Sequence, residues 1–179
     1  MKSNMRNLVL GLAAAALLLV PAVEAADSTN KGDLSNQVRR ELVMLPWFGV
    51  FDNLAYRVDG NVVTLYGSVT RPVLRSDAEG VVKRIEGVER VQNNIEVLPL
   101  SPNDDRIRIA TARAIYGYGP MQRYALGAQP PIRIIVKNGN VRLEGVVANE
   151  MDKNMAGIRA NGVFGAFSVT NDLKVEGRG

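Results

Sequence analysis

The 179-residue chain contains no histidine and no cysteine. Disulfides and thiolate metal sites are excluded, as are Ser-His-Asp triads, Cys-His dyads and imidazole-ligated metals. A phosphate-binding glycine loop is also missing. Gly117-Tyr118-Gly119-Pro120 has no strand before it and no Lys-Ser/Thr after it. Net charge is small: 22 Lys+Arg against 18 Asp+Glu give +4, a mild excess that does not require nucleic acid as a partner. What remains is 46% hydrophobic and 22% charged, the balance of a globular chain with room for one medium domain or two small ones.

There is one long apolar run, from Leu8 to Val20, preceded by Lys2 and Arg6 and broken by Pro21. It is shorter than the ~20 residues a membrane span takes. Val23 and Ala25 are small residues at the −3 and −1 positions of a cleavage site. Residues 1–25 are therefore expected to be a secretory signal peptide, an uncleaved anchor being the other reading. Without cysteine, a lipid-anchored form is excluded. The expected location is the periplasm, with residues 26–33 polar and disordered.

The rest is organised by a repeat. Residues 58–97 align without gaps on residues 136–175, with ten of forty positions identical, among them Gly67/Gly145, Gly87/Gly165 and Asn93/Asn171. Each copy reads in the same order. Leu34, Val38, Leu42 and Leu45 recur at helical spacing, and Ile107, Thr111 and Ile115 are their counterparts. Leu54, Tyr56 and Val58 then alternate as a strand, matched by Ile132, Ile134 and Val136. The two-residue turns Gly60-Asn61 and Asn138-Gly139 lead into return strands with Val63, Leu65 and Val69, or Val141, Leu143 and Val147, on one face.

Gly67 and Gly145 lie on that inward face, where a helix can approach the sheet closely. A second helix is expected after Thr70 or Asn149 as N-cap. Its apolar stripe is Leu74, Ala78, Val81 and Ile85 in copy one. In copy two Asp152 and Arg159 interrupt the equivalent stripe, so a rotated helix with Met151, Met155 and Ile158 inward is expected. Gly87 and Gly165 suit a left-handed helix stop. Asn93 and Asn171 share the parity of the inward valines on the last strand and are expected to bond backbone where helix and sheet meet.

The expected fold class is α+β: two tandem α-β-β-α-β two-layer sandwiches, each a three-stranded mixed sheet with two helices on one face. Domain 1 spans 34–98, a Pro-containing linker spans 99–103, and domain 2 spans 104–176. Units of this size are marginal alone, so the two are expected to pack together.

The motif Val63-x-Leu65-x-Gly67-x-Val69, then a helix, Gly87-Val88, and Val91-x-Asn93-x-Ile95-x-Val97, resembles the BON domain (bacterial OsmY and nodulation). So does its second copy through Val141, Leu143, Gly145, Val147, Gly165, Val169, Asn171 and Val175. A tandem pair behind a signal peptide is similar to periplasmic OsmY-like proteins. The resemblance implies a non-enzymatic binding module that contacts phospholipid or envelope partners and supports the envelope under osmotic stress. It carries over no catalytic residues, no cofactor, no metal and no small-molecule substrate.

The residues themselves leave few places for chemistry. Asp104-Asp105 is expected just before a helix start and Glu150/Asp152 in the first turn of another helix, where carboxylates complement the helix dipole. The most unusual stretch is Tyr116 to Tyr124. Matching Leu34 to Ile107 leaves copy two with five extra residues between its first helix and strand, and Tyr116, Tyr118, Met121, Arg123 and Tyr124 lie in this stretch. The matching zone of copy one holds Trp47 and Phe48. Tyrosine and tryptophan suit interfaces with a wet and an apolar side, and arginine suits lipid phosphate. These seven residues are the candidate lipid- or partner-binding set, with packing against the other domain as the alternative. The partner expected is a membrane surface or an envelope protein, not nucleic acid. A soluble periplasmic chaperone-like stress protein is the alternative function, binding segments of other proteins by strand addition. The element order also resembles KH-like RNA modules, but their Gly-x-x-Gly clamp is missing.

Overall fold

A computed structural model describes residues 23–127 and 129–177. Nearly all of the expected signal peptide lies outside the described residues. Among those described, no helix is long and apolar enough to cross a membrane.

The first unit consists of α1 (Val23–Val43), β1 (Asn53–Asp59), β2 (Val62–Val69), α2 (Pro72–Lys83) and β3 (Arg90–Val97). The second repeats it with α3 (Pro102–Tyr116), a 3-10 turn (Gly119–Ala125), β4 (Ile132–Lys137), β5 (Asn140–Val147), α4 (Glu150–Asn161), β6 (Ser168–Asn171) and β7 (Lys174–Val175). Residues 26–33 are not disordered as expected but form part of helix α1. Helix α3 starts at Pro102, inside the expected linker and ahead of Asp104-Asp105, because Pro102 fits the first turn and the Ser101 side chain caps the Asp104 amide.

Both sheets have the same mixed order. β1 pairs antiparallel with β2, and β2 runs parallel to β3. β4, β5 and β6 repeat this, and β7 continues the parallel pairing of β6 after a break at residues 172–173. Parity does the rest. Val63, Leu65 and Val69 are fully buried on one face of β2 against Leu34, Val38 and Leu42 of α1 and Leu74, Ala78 and Val82 of α2. Each such buried aliphatic side chain stabilises by roughly 2 kcal/mol. The second core is built alike, from Ile107 and Ile115, the inward residues of β4 and β5, and Ala156 and Ala160.

Several sequence expectations are corrected. Val82 lies innermost on α2, while Val81 is half-buried. Thr70 does not cap α2; its hydroxyl donates to Asp52, and Arg71 takes the N-cap place without a side-chain bond. Helix α4 is not rotated: Asp152, Ala156 and Ala160 are inward at the places of Leu74, Ala78 and Val82, and Met151 and Ile158 are exposed. Gly67 and Gly145 are required by strand, not helix. Their φ angles are +119° and +118°, and a Cβ there would run into the carbonyl oxygens of Asn53 and Pro131. Gly87 and Gly165 have positive φ, but in the turn beyond the helix ends, which fall at Arg84 and Gly162.

The asparagines do the same work twice. Asn93 Nδ2 donates to Arg75 O at 2.9 Å, and Asn171 Nδ2 donates to Lys153 O at 2.7 Å. Their Oδ1 atoms accept from Ile95 N and Leu173 N. Each ties its helix to its last strand.

Candidate functional site

The buried carboxylates come first, because an active site would be sought among them. Asp52 accepts Thr70 N, Thr70 Oγ1 and Gly49 N at 2.7, 2.8 and 3.0 Å. Asp104, 1% exposed, accepts Asn138 N and Gly139 N, each at 2.8 Å, and so ties α3 to the β4–β5 turn. The exposed Asp105 pairs with the buried Arg108, which also donates to Val136 O. Asp152 accepts the Tyr124 hydroxyl and pairs with Arg123. Every one of these groups is engaged in holding a turn or a helix in place.

The tyrosine segment folds onto its own domain. Tyr116 donates to Ile132 O at 2.5 Å, and burial pushes its phenol pKa up. Tyr118 lies under the Arg159 guanidinium, 4.0 Å from the ring centroid. Met121 is fully buried. Arg123 and Tyr124 meet Asp152 where the first domain has the apolar Leu74. The extra residues of copy two and the polar residue in its helix stripe are thus one feature, since the 3-10 turn supplies the partners that Asp152 requires. All three rings pack against the second core.

The aromatic segment of copy one behaves differently. Trp47 is 68% exposed, at φ +68°, with Arg71 5.0 Å from its ring centroid. Phe48 packs on the first core and carries Arg133 of the second domain 4.6 Å over its ring. Arg133 also donates to Gly49 O, and Ile134 N donates to Val50 O, both at 2.9 Å. Val50 and Phe51 pack against the second core. The segment therefore joins the two units.

The structure brings forward residues the sequence reading passed over. Phe164 is fully exposed and Phe167 is 85% exposed, on either side of the Gly165 turn. Ile158 and Met151 of α4 are also largely exposed. At the aligned positions copy one carries Glu86 and Glu89. That substitution was present in the repeat alignment. Sequence alone did not separate exposed phenylalanine from core phenylalanine.

Residues 30–99 and 123–177 match the family model of the BON domain. The chain belongs to the BON domain family. Both BON units have the fold described above, and the second match begins inside the 3-10 turn, after α3. BON domains are non-catalytic binding domains associated with the cell envelope. No curated protein matches this BON chain. Among solved structures it is similar to CdsD, a structural protein of the Type III secretion system of Chlamydia trachomatis. The identity is 12%, over 79% of this chain and 91% of that one, with a TM-score of 0.31. For the C-terminal domain of CdsD the values are 12%, 80%, 97% and 0.32.

Proposed function

We propose that this tandem-BON protein is an exported, non-enzymatic binding module of the bacterial envelope that holds phospholipid surfaces through its second domain. In this reading it supports envelope integrity under osmotic stress. One observation carries the lipid contact: two bare phenylalanines on a turn, Phe164 and Phe167, stand where the sister domain has glutamates. Soluble surfaces rarely leave two such rings uncovered on one turn, and a bilayer interface accepts them. The seven residues singled out from sequence have a smaller part in it. The three tyrosines and Met121 are turned inward, and Trp47 alone is both aromatic and largely exposed.

The test is sedimentation with phosphatidylglycerol vesicles at low salt. The wild-type protein is expected to co-sediment, and Phe164→Glu/Phe167→Glu, which installs the residues of copy one, is expected to stay in solution. A wild-type protein that remains in the supernatant overturns the lipid reading and leaves the chaperone-like alternative.

A further inference from the structure

The geometry points to the groove at the junction of the two domains as a binding site for one amphiphilic anion, a hydrocarbon chain with a single carboxylate or phosphate headgroup. The groove encloses about 870 Å³ between α1 and β1 of the first domain and the β4–β5 end of the second. That is within the range of small-molecule sites. Its apolar lining comes from both domains: Val43, Phe48 and Leu54 on one side, Pro131 and Val146 on the other. Val43 and Val146 remain 37% and 45% exposed, so this apolar surface is left open to solvent.

The charge in the groove has one sign. Arg39, Arg133 and Lys174 line it, and no aspartate or glutamate does. Among the described residues, none of the three cations has a carboxylate within salt-bridge distance. Arg133 bonds only to Gly49 O and Gln129 Oε1 and lies over Phe48. Burial lowers its pKa from the ordinary value, with Tyr116 and Asp52 acting the other way. Asp52 is already held by Thr70 and Gly49, and Glu144 beside the groove is taken by Asn53. A second cleft between the domains is different, since Lys137 there is paired with Glu96 and Arg142 faces Glu144. A trough with apolar walls and charge of one sign concentrates anions, and the walls favour those that carry a tail.

This site is separate from the one proposed above. It lies at the Pro131/Gly145 end of the second sheet, whereas Phe167 sits on the Gly139 turn at the other end. The two ends are roughly 20 Å apart along the strand.

Protein produced from the full chain is titrated with dodecanoate and dodecyl phosphate below their micelle-forming concentrations, with dodecanol below its solubility limit, and with inorganic phosphate. Native mass spectrometry gives the stoichiometry, and fluorescence of the one tryptophan, Trp47, gives the affinity. Dodecanoate, dodecyl phosphate or both are expected to bind one per chain, and the stronger of the two identifies the headgroup. Dodecanol and inorganic phosphate are expected to bind at least ~10-fold more weakly. Arg39→Glu/Lys174→Glu is expected to weaken the anionic amphiphile by ~10-fold or more. Both residues are exposed and unpaired among the described residues, so the melting temperature should hold. If it does not, Arg39→Ala and Lys174→Ala are read singly, and each must weaken binding. The inference is overturned if neither anionic amphiphile binds, if dodecanol binds equally well, or if the charge variants bind like wild type. Phe164→Glu/Phe167→Glu is expected to leave this titration unchanged while abolishing vesicle binding, which keeps the two readings separable.

Discussion

The hydroxyl of Tyr124 donates to the buried carboxylate of Asp152 at 2.5 Å and accepts the Ala148 amide at 2.9 Å. One side chain thus satisfies a carboxylate inside the second domain and closes the end of β5. Tyr124→Phe removes both bonds without changing the packing volume. It is expected to cost about 1–3 kcal/mol in urea unfolding. The same change at Tyr66, on the outer face of the first sheet, is expected to have little effect.

Gly145 and Gly67 cannot be replaced. Alanine at either meets a neighbouring strand's carbonyl at a φ that side chains rarely adopt. Gly145→Ala is expected to destabilise by on the order of 3 kcal/mol. Gly119→Ala is the control, because a Cβ there meets nothing within 4 Å and the backbone is not in the left-handed region. Thermal unfolding of the three variants checks the ranking.

Glu79 links Asn93 and Lys83, and those two hydrogen bonds, the Lys83 bond first, hold its pKa below the ordinary 4.5. The folded value lies under the unfolded one. The stabilisation is therefore complete above the unfolded value and disappears as pH falls through the lowered folded value. Carboxyl-carbon NMR titration should place Glu79 below a free glutamate. Asn93→Ala should move it upward and leave the Lys83 contribution.

Phe51 belongs to the first domain by sequence and to the second core by packing. Phe51→Ala is expected to remove about 2–3 kcal/mol from the second unit. Amide exchange should accelerate in β4 and α3 while β2 and β3 remain protected. Equal acceleration in both sheets would show that the two cores unfold as one.

Period and repeat make the fold legible. Val63, Leu65 and Val69 alternate, their copies alternate at the same spacing, and Asn93 and Asn171 make the same bonds. Local pattern does not reach the site. Asp152 read as a break in an apolar stripe because its partners, Arg123 and Tyr124, come from a distant turn. Trp47 and Phe48 read as one aromatic pair, yet Trp47 faces solvent and Phe48 is wedged between Arg133 and the first core. The exposure of Met151 and Ile158 follows from α4 keeping the register of α2, so that its inward places are filled by small residues and an aspartate. Periodicity alone favoured the opposite face.

The bond from Ile134 N to Val50 O has one more effect. β4 is a border strand, and a bare border is an open template for pairing with other chains. Here the polypeptide leaving α1 covers part of it like selvage on cloth. A fragment cut at Ser101 would lose that binding and leave the border bare for pairing with other chains.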